Sequence, residues 1–232
     1  MGRPKSRGRI RFPGNPWPDG HAVTEFAWTA RVERGTGIWF DLHLRTEDYD
    51  AADARSRRAP VEEDEPGASD WESRIVWCNY GRCTLSSTFW AGSARGFLVA
   101  TDREPLDWRK LPGRVFLVDE PPVDVDGAAR PAFNVYLTGH DAAGGHRIAF
   151  RREAGKRTFA IDWRGRIALA YGGATEYRHE FEASLTGIPF GGIELPNVAD
   201  RQRAQDLVDP FVADLREFAT RSRDGRILMF PK

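Results

Sequence analysis

The fold is decided by one stretch, VTEFAWTARVERGTGIWFDLHLRTE, residues 23–47. Its large apolar residues recur at every second position. Thr24, Phe26, Trp28, Ala30 and Val32 share one face, with Glu25, Arg31 and Glu33 on the other. Beyond a glycine-rich turn, Ile38, Phe40, Leu42 and Leu44 alternate with Trp39, Asp41, His43, Arg45 and Glu47. Alternation at period two marks a half-buried strand and not a helix. A three-residue loop Gly35-Thr36-Gly37 would set Val32 opposite Phe40 and Trp28 opposite Leu44. It would also set Arg31 opposite Asp41, an oppositely charged pair.

The same pattern returns in the second half of the chain. Phe133, Val135 and Leu137 form one inward set, followed by His146, Ile148 and Phe150. A four-residue loop, EAGK at 153–156, sets Phe150 opposite Phe159. WRG at 163–165 reads as a three-residue loop pairing Ile161 with Ile167. After GGAT at 172–175, Tyr177, His179, Phe181 and Leu185 join the apolar face. On the outer face Asp162 then meets Arg147 and Arg166. Further strands are expected at about 74–78, 83–89, 96–101 and 114–119.

Three segments depart from this pattern. Residues 1–11 form a basic arm read as a flexible terminus. Residues 48–70 carry clustered charge and almost no large apolar side chains, as in a mobile loop between strands. Near the end, Phe211, Val212, Leu215, Phe218 and Ala219 fall on one helical face behind Asp209-Pro210, a fitting N-cap and first-turn pair. A helical turn or two is expected before it, at 199–208, and a short strand after it, at 226–230. The expected architecture is mainly β. One antiparallel β domain, residues 12–195, forms a β-sandwich or up-and-down barrel of about ten to twelve strands. A C-terminal segment, 196–232, with an amphipathic helix and the short strand, packs on it.

Composition excludes several function classes. Lys+Arg and Asp+Glu both number 34 in 232 residues, so the net charge is zero. A protein that lives on phosphate backbones shows a basic excess, which disfavours nucleic acid as a partner. No apolar run reaches the roughly 18 residues of a membrane span, and the basic N-terminus lacks the apolar core of a secretory signal. The expected setting is cytoplasmic. Arginine dominates the basic residues, with lysine only at positions 5, 110, 156 and 232, which fits a GC-rich bacterial source.

The candidate sites are few. In IVWCNYGRCTLSSTFW, residues 75–90, a hairpin loop NYGR would bring Cys78 opposite Cys83, as free core thiols or, second, as a disulfide. A zinc site joining them to His140 and His146 has loose spacing and is not favoured, so no metal is expected. TGHDAAGGHRI, residues 138–148, offers His140 and Asp141 in a glycine-rich loop. That loop, 139–146, carries a hydrolase reading, and it lacks a nucleophile elbow. His146 and His179 point inward with Tyr177, the basis of a small-ligand barrel reading with an interior His/Tyr pocket. The outer face Trp39, Asp41, His43 and Arg45, and the Thr84, Ser86, Thr88 and Trp90 face, combine aromatic and polar groups suited to a polar partner. Glu47 and Glu72 could flank a glycosidase cleft only at a separation that sequence does not give. The leading expectation is a non-catalytic bacterial binding protein, of regulatory or immunity type. It uses the Trp/His/charged sheet face on a protein partner or small polar ligand, with no cofactor and no catalytic residues.

Overall fold

The computed structural model describes residues 7–51, 67–87, 96–121, 131–195, 200–223 and 226–232. Alternating sequence becomes strand nearly throughout. The strands are β1 (Gly8–Arg11), β2 (His21–Glu33), β3 (Gly37–Thr46), β4 (Thr84–Ser86), β5 (Phe97–Ala100), β6 (Val115–Val118), β7 (Asn134–Tyr136), β8 (His140–Arg152), β9 (Thr158–Ala168), β10 (His179–Pro189), β11 (Ile193–Glu194), β12 (Phe218–Arg223) and β13 (Arg226–Pro231). Helices α1 (Arg74–Tyr80) and α2 (Arg201–Val208) lie between them. Eight strands, in the order β2-β1-β10-β9-β8-β7-β4-β3 and back to β2, close into an antiparallel barrel, and five more lie outside the ring. Of sandwich and barrel, the chain forms the barrel, and closure leaves the ring no edge strand.

Three long strands exchange partners midway, which opens one end of the barrel. Along one edge of β3, β5 pairs with Ile38–Phe40 and β4 with His43–Arg45. Along β8, β7 pairs with 140–142 and β6 with 146–149. Along β2, β1 pairs near His21 while β11 runs parallel at Ala30 and Arg31. At that end the flap β11-β13-β12 crosses β2. The crossing needs glycine: a Cβ on Gly191 would lie 2.7 Å from Thr29 Cγ2, while the Gly191 amide donates to Trp28 O at 2.7 Å.

The interior is filled. Trp28, Phe40, Phe133, Phe150, Phe159, Trp163 and Phe181 are each almost wholly buried. At the other end an aromatic cluster stops the mouth: Trp17 stacks on Tyr49 at 5.7 Å, and Trp77 from α1 meets Tyr49 at 5.1 Å and Trp71 at 5.2 Å.

Several expectations need correction. Three of the expected hairpins, at 35–37, 153–156 and 172–175, keep the right faces but shift by two residues. Val32 faces Ile38, Phe150 faces Ile161, and His179 faces Ile167. A two-residue slip preserves every inward and outward assignment, so alternation is blind to it. Asp162 consequently pairs with Arg151 at 2.7 Å, not with Arg147 or Arg166. Thr24 leaves the inward face because a bulge between Val23 and Glu25 reverses the parity there. WRG is no turn: Trp163 is fully buried, and β9 runs straight through it. The glycine-rich loop 139–146 is mostly strand too, since β8 starts at His140 and absorbs Gly144 and Gly145 in a bulge.

The expected cysteine hairpin is replaced by α1. Ser73 Oγ accepts from the Val76 amide at 3.0 Å, and Gly81, at φ 77, ends the helix. These caps override the strand-like Ile75-Val76-Trp77 pattern. Cys78 and Cys83 are both free. At the C-terminus the helix is 201–208, capped by Asp200 Oδ1 on the Arg203 amide at 2.8 Å. Residues 210–219 are not one helix: short 3-10 turns at Asp209–Phe211 and Leu215–Glu217 lead into β12. The short strand expected at 226–230 is β13. The supposed arm contributes β1, where Ile10 is fully buried; residues 1–6 lie outside the described residues, as do 52–66 of the charged loop 48–70. Within the described part of that loop, Tyr49 is fully buried and donates to Leu137 O at 3.2 Å.

Candidate functional site: a cationic groove at the open end of the barrel

The groove is built where β8, β9 and the flap converge. Asp107 accepts from the Arg109 and Lys110 amides and so turns the chain at Trp108, while Leu106 bridges Val212. Trp108 then packs against Phe190 at 4.8 Å, Phe159 at 5.7 Å, Trp28 at 5.8 Å and Phe218 at 6.2 Å. Above this aromatic floor lies an open cavity of about 600 Å³ with a second lobe of about 240 Å³, and both lobes share Trp108, Arg152 and Lys232. Such volumes suit a small ligand.

Its charge is uneven. Arg109, Arg152, Arg157, Arg216, Arg221 and Lys232 line the two lobes, against Asp214 and Glu217. Arg109 is engaged by Glu217, and Arg216 by Asp214 at 2.9 Å. The Arg216 side chain, with its backbone amide, holds the Asp214 carboxyl below its ordinary range. Arg152, Arg157, Arg221 and Lys232 have no carboxylate partner among the described residues. Two of them are held by aromatic faces: Arg152 lies 5.2 Å from the Phe159 centroid and Arg221 5.3 Å from that of Phe230. A guanidinium so stacked presents its N–H fork outward with less freedom to lose on binding.

The residues singled out from sequence do not come together in one site. On the outer face of β2 and β3, Arg31 bonds Asp41 Oδ2 at 2.6 Å and Glu33 at 3.0 Å, and stands 5.5 Å from the Trp39 ring. Arg45 holds Glu25 at 2.8 Å. These charges engage one another, two arginines against three carboxylates. Burial raises the Asp41 carboxyl, with Arg31 opposing, and burial lowers His43. Ser86, His43 and Glu25 follow one another in hydroxyl–imidazole–carboxylate order, with Ser86 Oγ 3.0 Å from His43 Nδ1 and Glu25 3.7 Å from Nε2. Yet Ser86 is only 5% exposed and Glu25 belongs to Arg45, so the series lacks both an accessible nucleophile and a dedicated orienting carboxylate. Thr88 and Trp90 lie outside the described residues.

Nor do the histidines define a pocket. His140 is exposed against Tyr136, while its neighbour Asp141 accepts from the Thr138 amide and hydroxyl and from the Tyr171 amide, which makes it a loop staple. Burial raises the Asp141 carboxyl, and those hydrogen bonds oppose it. His146 is enclosed by Phe133, Trp163 and Phe181, and Trp163 Nε1 donates to its Nδ1 at 3.3 Å. Burial depresses it to about 3, so it is a neutral core residue. His179 turns to the rim, where it stacks on Trp71 at 3.9 Å. Among the described residues no group of three His, Cys, Asp or Glu side chains could hold a metal ion, and no helix is long and apolar enough to cross a membrane.

Sequence reasoning missed the groove because its residues come from positions 108, 152, 157, 221 and 232. One signal was present: RREAGKR at 151–157 crowds four cations around a hairpin.

The site and fold together define a closed β-barrel with a groove at one end lined mostly by cationic side chains. No protein-family model matches the chain, and no curated protein or solved structure is significantly similar to it.

Proposed function

We propose that this chain is a non-catalytic binding protein whose groove takes a small ligand with an anionic group, phosphate or carboxylate, on a flat apolar body. One observation carries the reading. In a chain of zero net charge, four cations with no carboxylate partner among the described residues line one groove over an aromatic floor. An anion there would receive charge-assisted, fork-shaped hydrogen bonds from arginine, and the apolar body would cover the exposed edge of Trp108. The site therefore moves from the Trp39, Asp41, His43 and Arg45 face, whose charges are mutually engaged, to the opened end of the barrel. A bacterial cytoplasmic setting belongs to the same proposal and is supported by the two free thiols.

Isothermal titration calorimetry with phenyl phosphate, benzoate and pyrophosphate tests it. Charged hydrogen bonds of this kind make Arg152→Ala or Arg221→Ala weaken binding by about tenfold or more. Both residues are exposed, so the variants should fold. Absence of binding by all three probes, or equal binding by the double variant, would refute the proposal.

A further inference from the structure

At the opposite end of the barrel three of the five tyrosines meet. Tyr80 ends α1, Tyr136 lies on β7, and Tyr171 sits in a 3-10 turn, Ala170–Gly172. The Tyr80 ring is 6.1 Å from Tyr136 and 6.1 Å from Tyr171, and nearly perpendicular to both, at 71° and 76°. Tyr171 is 63% exposed and Tyr136 36%. Exposed tyrosines on a protein surface are ordinary when scattered; one ring with two others set nearly perpendicular to it is not.

The rings are held in place. The Tyr171 amide donates to Asp141, and its ring lies so close to Gly139 that a Cβ there would stand 2.4 Å from Tyr171 Cγ. The edge of His140 meets Tyr136 at 5.3 Å. Tyr80 is anchored through α1, whose Trp77 is fully buried in the mouth. Negative charge is close by. The Asp70 carboxylate, which has no ion-pair partner among the described residues, would lie 3.8 Å from a Cβ on Gly172. Burial, then Tyr171 and Tyr136, then Asp141 and Asp70 raise the Tyr80 phenol.

We infer that Tyr80, Tyr136 and Tyr171 form an aromatic box for a quaternary ammonium group, with Asp70 supplying the counter-charge. Ring faces attract a cation through their quadrupoles, and a methylated ammonium loses little hydration on entering. Rings set at right angles make a corner, where a sugar would need a flat platform. The box is independent of the groove and takes the opposite charge. Free choline and a trimethyllysine side chain share this chemistry.

The test is an NMR titration of the whole chain, following tyrosine ring signals, with choline, a trimethyllysine peptide, its unmethylated form, and 3,3-dimethyl-1-butanol, the neutral isostere of choline. The expected result is a saturable shift with both methylated ligands and binding at least about fivefold weaker for the neutral isostere. Choline and peptide binding equally would mark a small-molecule site, and a tighter peptide a polypeptide one; either outcome supports the box. Tyr171→Ala, at an exposed position, should weaken binding about fivefold with the fold unchanged by circular dichroism, and Asp70→Asn should weaken it less. No saturable shift, an equal response to the neutral isostere, or unaltered affinity in Tyr171→Ala would overturn the inference. So would saturation by N-acetylglucosamine oligomers in place of the ammonium ligands.

Discussion

Gly165→Ala separates the continuous strand β9 from the three-residue WRG turn that the sequence invites. The backbone there is not left-handed, so alanine meets no conformational strain. It meets neighbours instead. A Cβ on Gly165 would lie 2.6 Å from Phe181 Cε1 and 2.7 Å from His146 Nδ1, both in buried rings. Overpacking of this kind costs about 1–3 kcal/mol, and the loss of unfolded-chain freedom on replacing glycine offsets at most about 1 kcal/mol. The net loss is of the order of 1–2 kcal/mol, or roughly 2–8 °C in Tm for a chain of this size. Thermal unfolding by circular dichroism measures it. Phe181→Leu removes Cε1 and Cζ, two of the three colliding atoms, and leaves only the His146 contact, so adding it to Gly165→Ala should cost less than the sum of the single changes. A turn glycine would show no such coupling. Strict additivity of the two substitutions, or a Gly165→Ala variant as stable as the parent, would refute the packing argument.

Other expectations follow from single contacts. Ser73→Ala removes the cap on Val76 and should cost about 0.5–2 kcal/mol, read by urea unfolding, with Ser73→Asp restoring most of it. His146 is held neutral down to about pH 3 whereas the unfolded residue protonates near 6.5, so its contribution is intact above pH 6.5 and is lost as the pH falls towards 3. A His146→Phe variant that still folds should therefore lose less stability than the parent between pH 6.5 and 4; equal losses would contradict this. In native protein a thiol reagent should modify Cys78, which is half-buried, and spare Cys83, which is wholly buried and whose thiol burial pushes up; both should react in denaturant. A chain with no reactive thiol after unfolding would indicate a disulfide.

Parity was legible in the sequence and register was not. The inward set Ile38, Phe40, Leu42 and Leu44 is buried as alternation requires, and the mainly β class follows from many such sets agreeing, whereas closure into a barrel and not a sandwich rests on strand pairings that alternation does not specify. Register depends on where each turn closes, and a slip of two residues leaves the pattern unchanged. The α1 error has a different origin. Ile75, Val76 and Trp77 favour strand locally, but Ser73, Gly81 and the need to seat Trp77 in the barrel mouth decide for helix. Trp163 and Gly165 misled because tryptophan-arginine-glycine resembles a turn, while the glycine is there to admit the Phe181 and His146 rings. Neither candidate site was legible. The histidines and the Trp39 face drew attention as residue types, whereas each candidate site draws on segments far apart in the chain.

Zero net charge conceals this arrangement because the excesses are local and opposite. Strand β8 joins the two ends, with His140 beside Tyr136 at one terminus and Arg152 over Phe159 at the other. Twelve steps at about 3.3 Å each place them roughly 35–40 Å apart, several Debye lengths at physiological salt. The groove's cations therefore do not weaken the tyrosine box, and the carboxylates near the box do not fill the groove. Between them the barrel is packed with Phe150, Ile148, Trp163 and Phe133, all fully buried. A filled barrel acts as a spacer: it keeps the proposed anion groove and the proposed ammonium box apart at its two ends, so that each would bind on its own terms.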